Sequence, residues 1–233
     1  MFYKQGITKL HGWLFLMLLF LIGCATDGNK PKTEKGQATA STPKAASQPV
    51  KSILFFGNSL TAGYGLDPSE SFPSLLQQKI DSAQLNYKSV NAGVSGETSA
   101  GGAARIDWSL KQPLDVFVLE LGANDGLRGI PVAETKKNLQ SIIDKVKKIY
   151  PEAKLVLTGM QIPPSMGQEY SYKFQNLFPE LAKKNNMALV PFLLENVAGI
   201  RALNQQDGIH PTAAGAKIVA ENVWKILQPI LEQ

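Results

Sequence analysis

Three residues of this sequence could together activate a nucleophile: a serine, a histidine and an aspartate. Ser59 lies in the run GNSLTAGYG, and Asp207 and His210 lie in the run DGIHP near the C-terminus. A histidine that takes the proton of a serine must be held in one tautomer by an acceptor on its other ring nitrogen, and Asp207 could be that acceptor. The residues alone leave alternatives open, since Ser59 could simply cap a helix and a single histidine is often structural.

Two further runs carry glycine and asparagine. They read NAGVSGET, which begins at residue 91, and GANDGLRG, which begins at residue 122. A glycine amide and an asparagine side-chain amide can bind the same oxygen, as in the oxyanion hole of an acyl-transfer enzyme. Each run could equally be a plain turn, because Asn-Asp-Gly is strong turn chemistry.

Short apolar runs that alternate with longer amphipathic segments must position these four motifs. A helix is predicted over 132–150, and a last helix is predicted after Pro211. The candidate strands are 52–56, 87–91, 116–121, 154–158 and 188–191. Apolar strands that alternate with helices indicate a parallel sheet covered on both faces. Ligands bind such sheets beyond the carboxyl ends of the strands, which is where the motifs lie.

Composition excludes several other classes of protein. One cysteine in 233 residues rules out an internal disulfide framework, and two histidines leave little room for a histidine-rich metal site. The net charge of +5 invites a nucleic-acid interpretation. Residues 1–50, however, carry six lysines against two acids, and the remaining 18 basic and 17 acidic residues nearly balance. We therefore expect no nucleic-acid partner. The sequence also lacks G-x-S-x-G, a dinucleotide fingerprint and a P-loop.

The four motifs together resemble the GDSL, or SGNH, serine hydrolases in their order and approximate spacing. Within that family the chain is similar to the bacterial secreted branch of thioesterases, lysophospholipases and arylesterases, in which Met160-Gln161-Ile162 also fits. The resemblance implies a three-layer α/β/α sandwich around a mostly parallel five-stranded sheet, with the hydrolase domain at 51–233. It implies no metal and no organic cofactor.

The resemblance also implies a role for each site residue. Ser59 would be the nucleophile, and His210 would be the general base and later the general acid. Asp207 would orient the imidazole and stabilise its charged form. The oxyanion hole would consist of the main-chain amides of Ser59 and Gly96 and the side chain of Asn124.

Some positions are less certain matches to the family. Gly93 is the weaker candidate for the glycine donor, because Gly96 is the glycine that precedes the Glu-Thr pair. Asn58 stands where the family usually has aspartate, so a charge beside the nucleophile is lost. Ala123 stands where this branch often has glycine, which matters if that residue needs a positive φ.

The N-terminal residues resemble a bacterial lipoprotein signal. The apolar run at 13–22 is too short to span about 30 Å of hydrocarbon, and it is followed by Gly23-Cys24. We expect residues 1–23 to be removed and Cys24 to be lipidated. Residues 24–50 are polar and small, and they are expected to form a disordered tether. The alternative is an ordinary signal peptide with an accidental cysteine.

These features predict a serine esterase that hydrolyses acyl esters through an acyl-enzyme. The expected substrates are lysophospholipids, aryl esters, other short- or medium-chain acyl esters and thioesters. Residues 163–172 are predicted to form a loop, which either lines an acyl pocket or consists of ordinary packing residues. The alternatives are a carbohydrate O-deacetylase of the same fold and a catalytically silent binding lipoprotein. We expect a monomer in the bacterial cell envelope, held by Cys24 on the periplasmic side of the outer membrane.

Overall fold

The computed structural model describes residues 49–233. The expected signal peptide, the lipidated Cys24 and nearly all of the expected tether lie outside the described residues. Within this range five strands form one sheet, in the order β2-β1-β3-β4-β5, and every neighbouring pair is parallel. The strands are β1 Lys51–Gly57, β2 Tyr87–Gly93, β3 Val116–Glu120, β4 Lys154–Thr158 and β5 Ala188–Val190.

All five predicted strands are present, and their ends agree with the prediction to within two residues. The described sheet is wholly parallel, where a mostly parallel one was expected. All five residues of the central β3 are buried, whereas the edge strand β2 is largely half-buried or exposed. Pro191 lies beyond the end of β5, because proline has no N–H to donate to a neighbouring strand.

Helices cover both faces of the sheet. On one side α2 packs against α7, and on the other α5 packs against α3 and α6. The helices are α1 Ser59–Ala62, α2 Phe72–Ser82, α3 Ser99–Ser109, α4 Ala123–Leu127, α5 Val132–Ile149, α6 Gln168–Asn185 and α7 Ala213–Leu231. None of these helices of the described range is long and apolar enough to cross a membrane.

Two consecutive phenylalanines of β1 illustrate the three layers. The ring of Phe55 meets the ring of Phe72, the first residue of α2, edge to face at 5.7 Å between centroids. Phe56 points to the opposite face and lies close to Gly102 of α3. A Cβ added to Gly102 would lie 3.2 Å from the Phe56 ring. Successive strand residues point to opposite faces, so β1 contributes to both halves of the core.

The segment 163–172, predicted as a loop, is partly helical. It contains a 3-10 turn at Pro164–Met166, and α6 already begins at Gln168. Tyr170 donates its hydroxyl to the Ile130 carbonyl at 2.6 Å and packs near Phe174. Tyr170 is therefore a packing residue, and the loop prediction was wrong for residues 168–172. Ion pairing between Glu169 and Lys173, one turn apart on α6, favours the helix.

Candidate active site

Ser59 lies where β1 turns into α1. Gly57 ends the strand, and the side-chain oxygen of Asn58 caps the short helix. A Cβ on Gly57 would overlap the Thr61 side chain and lie 2.5 Å from Glu120 Oε2. Glycine therefore allows this tight approach, and the turn presents Ser59 at the carboxyl edge of the sheet with 8% of its surface exposed.

Ser59, His210 and Asp207 form a continuous chain of hydrogen bonds. His210 Nδ1 lies 2.7 Å from Asp207 Oδ2, and His210 Nε2 lies 2.8 Å from Ser59 Oγ. With the Nδ1 proton donated to the carboxylate, Nε2 is left as an acceptor for the serine hydroxyl. This is the arrangement required of a base that removes the serine proton.

The Asp207 carboxylate is anchored by its own loop. Its second oxygen accepts the main-chain N–H groups of Ile209 at 2.9 Å and His210 at 3.0 Å. The hydrogen bond from the His210 side chain, followed by these two backbone bonds, lowers the pKa of Asp207 to about 2. Asp207 therefore stays ionised at neutral pH and can stabilise a charged imidazole.

Gln205, which the sequence analysis did not identify, joins the histidine loop to the serine loop. Its Nε2 donates to the carbonyls of Tyr64 at 2.7 Å and Pro211 at 2.9 Å. The Tyr64 and His210 rings lie 4.6 Å apart, measured between centroids. These contacts hold His210 against the turn that carries Ser59. Tyr64 and Gln205 are separated by 141 positions, so no local pattern could reveal the pair.

The two glycines proposed as oxyanion donors differ in their surroundings. The Gly93 N–H already donates to Asn91 Oδ1 at 2.9 Å, and a Cβ on Gly93 would overlap the backbone of Ala62. Gly96 is exposed with φ +79°, and its N–H donates to no protein acceptor within residues 49–233. The available amide therefore belongs to Gly96. The Ser59 N–H is also available, because the first turn of a helix offers it no intrahelical acceptor.

Asn124 lies on α4, immediately after β3. Its Nδ2 donates one proton to the Glu97 carbonyl at 2.9 Å, which leaves the second proton of this amide for a ligand. The positive φ values in this motif fall on Gly122, at +113°, and on Gly129, at +66°, and Ala123 is helical. Ala123 therefore needs no glycine-like backbone, which removes the concern about that position.

A buried acid, Glu120, lies directly beneath the serine turn and was not recognised from the sequence. It is fully buried at the end of β3 and accepts the Asn58 Nδ2 at 2.8 Å, the Asn58 N–H at 3.0 Å and the Thr61 hydroxyl at 2.8 Å. Burial raises its pKa to about 7, although these hydrogen bonds lower it. A single glutamate at the end of the apolar run VFVLE was the available signal.

Glu120 explains how asparagine is accommodated at position 58. The Asn58 side chain donates through Nδ2 to Glu120 and accepts the Leu60 N–H through Oδ1 at 2.9 Å. An aspartate there would place a second carboxylate against Glu120, and like charges at such a distance disfavour ionisation. Asparagine at position 58 therefore avoids the negative charge of an aspartate and provides the hydrogen-bond donor that the buried Glu120 requires.

A second buried acid, Asp125, connects the second and third motifs. Its carboxylate accepts the Ser99 N–H at 2.8 Å and the Ser99 hydroxyl at 2.5 Å, which fastens the start of α3 to α4. The neighbours of Gly96 and Asn124 are therefore linked inside the protein. Among residues 49–233, no three or more histidine, cysteine or acidic side chains are grouped so as to hold a metal ion.

A serine at a strand-to-helix turn, hydrogen-bonded to a His-Asp pair at the carboxyl edge of a parallel sheet, defines a serine hydrolase site. Residues 55–218 match the GDSL-like Lipase/Acylhydrolase family, and the chain belongs to that family. It is an acyl ester hydrolase.

Three similar proteins span most of the chain. Esterase TesA of Pseudomonas aeruginosa is 41% identical over 191 residues, which cover 82% of this chain and 92% of that protein. Thioesterase 1/protease 1/lysophospholipase L1 of Escherichia coli is 38% identical, and the aligned region covers 77% of this chain and 84% of that protein. The crystal structure of the psychrotrophic esterase EstA from Pseudoalteromonas sp., inhibited by monoethylphosphonate, has 34% identity and a TM-score of 0.73, covering 78% of this chain and 100% of that one.

Replacing Glu120 by glutamine should change how stability depends on pH. The folded pKa of about 7 exceeds the ordinary value of 4.5, so the contribution of the protonated acid is full below 4.5 and is lost as the pH rises through 7. We expect the free energy of unfolding of the wild type, relative to E120Q, to fall by on the order of 2–3 kcal/mol between about pH 5 and pH 8.

Urea denaturation across this pH range measures the difference. The exposed Glu152 provides a matched control, since Glu152→Gln should follow the wild type at every pH. A difference between wild type and E120Q that does not vary with pH would contradict the assignment of this titration to Glu120.

Proposed function

We propose that the protein is a serine esterase that works through an acyl-enzyme on Ser59. The observation that carries this proposal is the hydrogen-bonded chain from Ser59 Oγ through His210 to Asp207, at 2.8 and 2.7 Å. Ser59 Oγ attacks the ester carbonyl while His210 Nε2 takes its proton. His210 then gives that proton to the leaving alcohol as the carbon–oxygen bond breaks.

The second half of the reaction uses the same groups. Water gives a proton to His210 Nε2 and attacks the acyl carbonyl, and the proton returns to Ser59 Oγ as the carboxylic acid leaves. In both halves the imidazole becomes positively charged next to Asp207, whose low pKa keeps it ionised. The negative oxygen of each tetrahedral intermediate is bound by the amides of Ser59 and Gly96 and by Asn124 Nδ2.

The substrate class follows from the rim of the site and from the relatives. The side chains of Tyr64, Leu127 and Ile209 are exposed on the segments that carry the site residues, and they offer apolar surface to an acyl or aryl group. One relative is named for thioesterase and lysophospholipase activity. Lysophospholipids, aryl esters, thioesters and other short- or medium-chain acyl esters are therefore the proposed substrates. A carbohydrate O-deacetylase is the alternative within the same chemistry.

A catalytically silent binding protein fits the geometry less well. A binding site has no use for a serine hydroxyl that is hydrogen-bonded to a base with an ionised partner. The Pseudoalteromonas esterase carries a monoethylphosphonate inhibitor, and phosphonates are reagents for activated serines. The same chemistry is expected of Ser59 here.

The proposed location is the bacterial cell envelope. The apolar run followed by Gly23-Cys24 supports removal of residues 1–23, lipidation of Cys24 and anchoring on the periplasmic side of the outer membrane. Residues 24–50 would then separate the enzyme from the lipid. The basic charge of residues 1–50, set against the nearly neutral remainder, supports the absence of a nucleic-acid partner. A monomer is proposed.

Ser59→Ala should abolish turnover, whereas Asn124→Ala should reduce kcat about 10²- to 10³-fold, because a single oxyanion donor is lost. Hydrolysis of p-nitrophenyl butyrate by the detergent-solubilised full chain measures both effects. Trp108→Ala, at an exposed position on α3, serves as a control that should retain full activity. Wild-type turnover in Ser59→Ala would refute the proposed mechanism.

A competition experiment separates the two substrate classes. The wild type is given a lysophospholipid and an O-acetylated sugar at matched concentrations, and the release of fatty acid and acetate is followed. We expect the lysophospholipid to have at least about a tenfold higher kcat/KM, because only its acyl chain can contact the apolar rim around Ser59. Preferential release of acetate would favour the deacetylase alternative.

Cys24→Ala should prevent lipid attachment. Metabolic labelling with an alkyne-bearing fatty acid should mark the wild type and not the variant, because lipidation requires the thiol of this one cysteine. Serine hydrolase activity of the two proteins in detergent should be equal. A wild type that remains unlabelled would contradict the proposed anchor and leave an ordinary signal peptide.

A further inference from the structure

Arg105 of α3 makes an ion pair with Glu97 beside the proposed oxyanion hole. Arg105 Nε and Nη2 each lie 2.6 Å from a different oxygen of Glu97, so the contact is bidentate. The Glu97 side chain is 7% exposed and that of Arg105 23% exposed. Such a planar fork holds a carboxylate in one orientation, which a single charge on a flexible stem does not do.

The same guanidinium also reaches the ends of two strands. Nη2 donates to the Ala92 carbonyl near the end of β2 at 2.8 Å and, more weakly, to the Gly57 carbonyl at the end of β1 at 3.3 Å. The guanidinium lies 3.9 Å from the centroid of the Phe56 ring. Arg105 therefore fixes the position of Glu97 relative to the strand that delivers Ser59.

Glu97 in turn is linked to two donors of the proposed oxyanion hole, Asn124 and Gly96. Its main-chain oxygen accepts Asn124 Nδ2 at 2.9 Å, which sets the orientation of that amide. Glu97 also directly follows Gly96, whose N–H is the other of these two donors. Its own N–H donates to the Val94 carbonyl at 3.2 Å and closes the turn that contains Gly96.

We propose that Arg105 and Glu97 are positioning residues that hold the Gly96 and Asn124 donors in place for the oxyanion. This inference rests on the proposed function, because it assumes that these two groups bind the developing negative charge. Donors accelerate a reaction only when they are aimed in advance at the place where the charge forms. The ion pair holds the two donors in position from β1 and α3, and it does not itself contact the substrate.

Arg105→Lys and Glu97→Gln should lower kcat between about 10- and 100-fold, with KM changed less than about threefold, because a misplaced donor weakens transition-state binding more than ground-state binding. Lysine keeps the charge but loses the fork. Glu97→Gln keeps a side chain of the same shape and provides a second test should R105K fail to fold. Asp107 lies on the same helix as Arg105 and forms an exposed ion pair with Lys145 of α5. Asp107→Asn breaks this pair and should leave kcat unchanged.

A double-mutant cycle distinguishes positioning from a purely structural role. If Arg105 acts through Asn124, the R105K/N124A protein should lose clearly less kcat than the product of the two single losses, because the donor being positioned is already absent. Strictly multiplicative losses, or wild-type kcat in both R105K and E97Q, would overturn the inference. Ser59→Ala is assayed alongside: if it retains turnover, the proposed function itself fails, whereas inactive Ser59→Ala with normal R105K and E97Q removes only this inference.

Discussion

The parallel pairing of β1 with both β2 and β3 is the constraint on which the rest of the site depends. Gly57 pairs with Gly93 on one side and with Glu120 on the other, so the three strands end at the same level. The chain segments that leave these ends carry Ser59, Gly96 and Asn124 to one edge. A shift of one residue in either pairing would turn the side chains of a strand to the opposite face and separate these groups.

Two ionisable groups lie behind this edge, and each is satisfied by hydrogen bonds. Glu120 lies under the serine turn and accepts donors from Asn58 and Thr61. Arg105 lies in α3 and donates to Glu97 and to the strand ends. Ionisable groups that are withdrawn from water add little stability compared with apolar packing, but losing one hydrogen-bond partner is costly. Their value here is positional, because they hold the loops of the site to the sheet.

Sequence patterns predicted the local features of this protein well. Five apolar runs marked the strands, and their alternation with helices indicated the parallel sheet. The motifs led directly to Ser59, Asp207 and His210, which the structure brings into one hydrogen-bonded chain. Gln205 could not be predicted because its partner Tyr64 lies 141 positions away. Arg105 could not be predicted because its contacts with Glu97 and the strand ends depend on how α3 packs against the sheet. Glu120 could not be predicted because a lone acid at a strand end usually faces solvent, and only the sheet register buries it.

The central claim is that Ser59 is the group that becomes covalently modified in the reaction. The reaction of the enzyme with a p-nitrophenyl phosphonate ester stops after the first step. Nitrophenolate release and peptide mass mapping of the full chain therefore measure that step directly. We expect one nitrophenolate released per chain, a single phosphonyl adduct on Ser59 and a proportional loss of esterase activity. Stoichiometric inactivation with the adduct on another residue, or continued ester hydrolysis by fully modified protein, would contradict this claim.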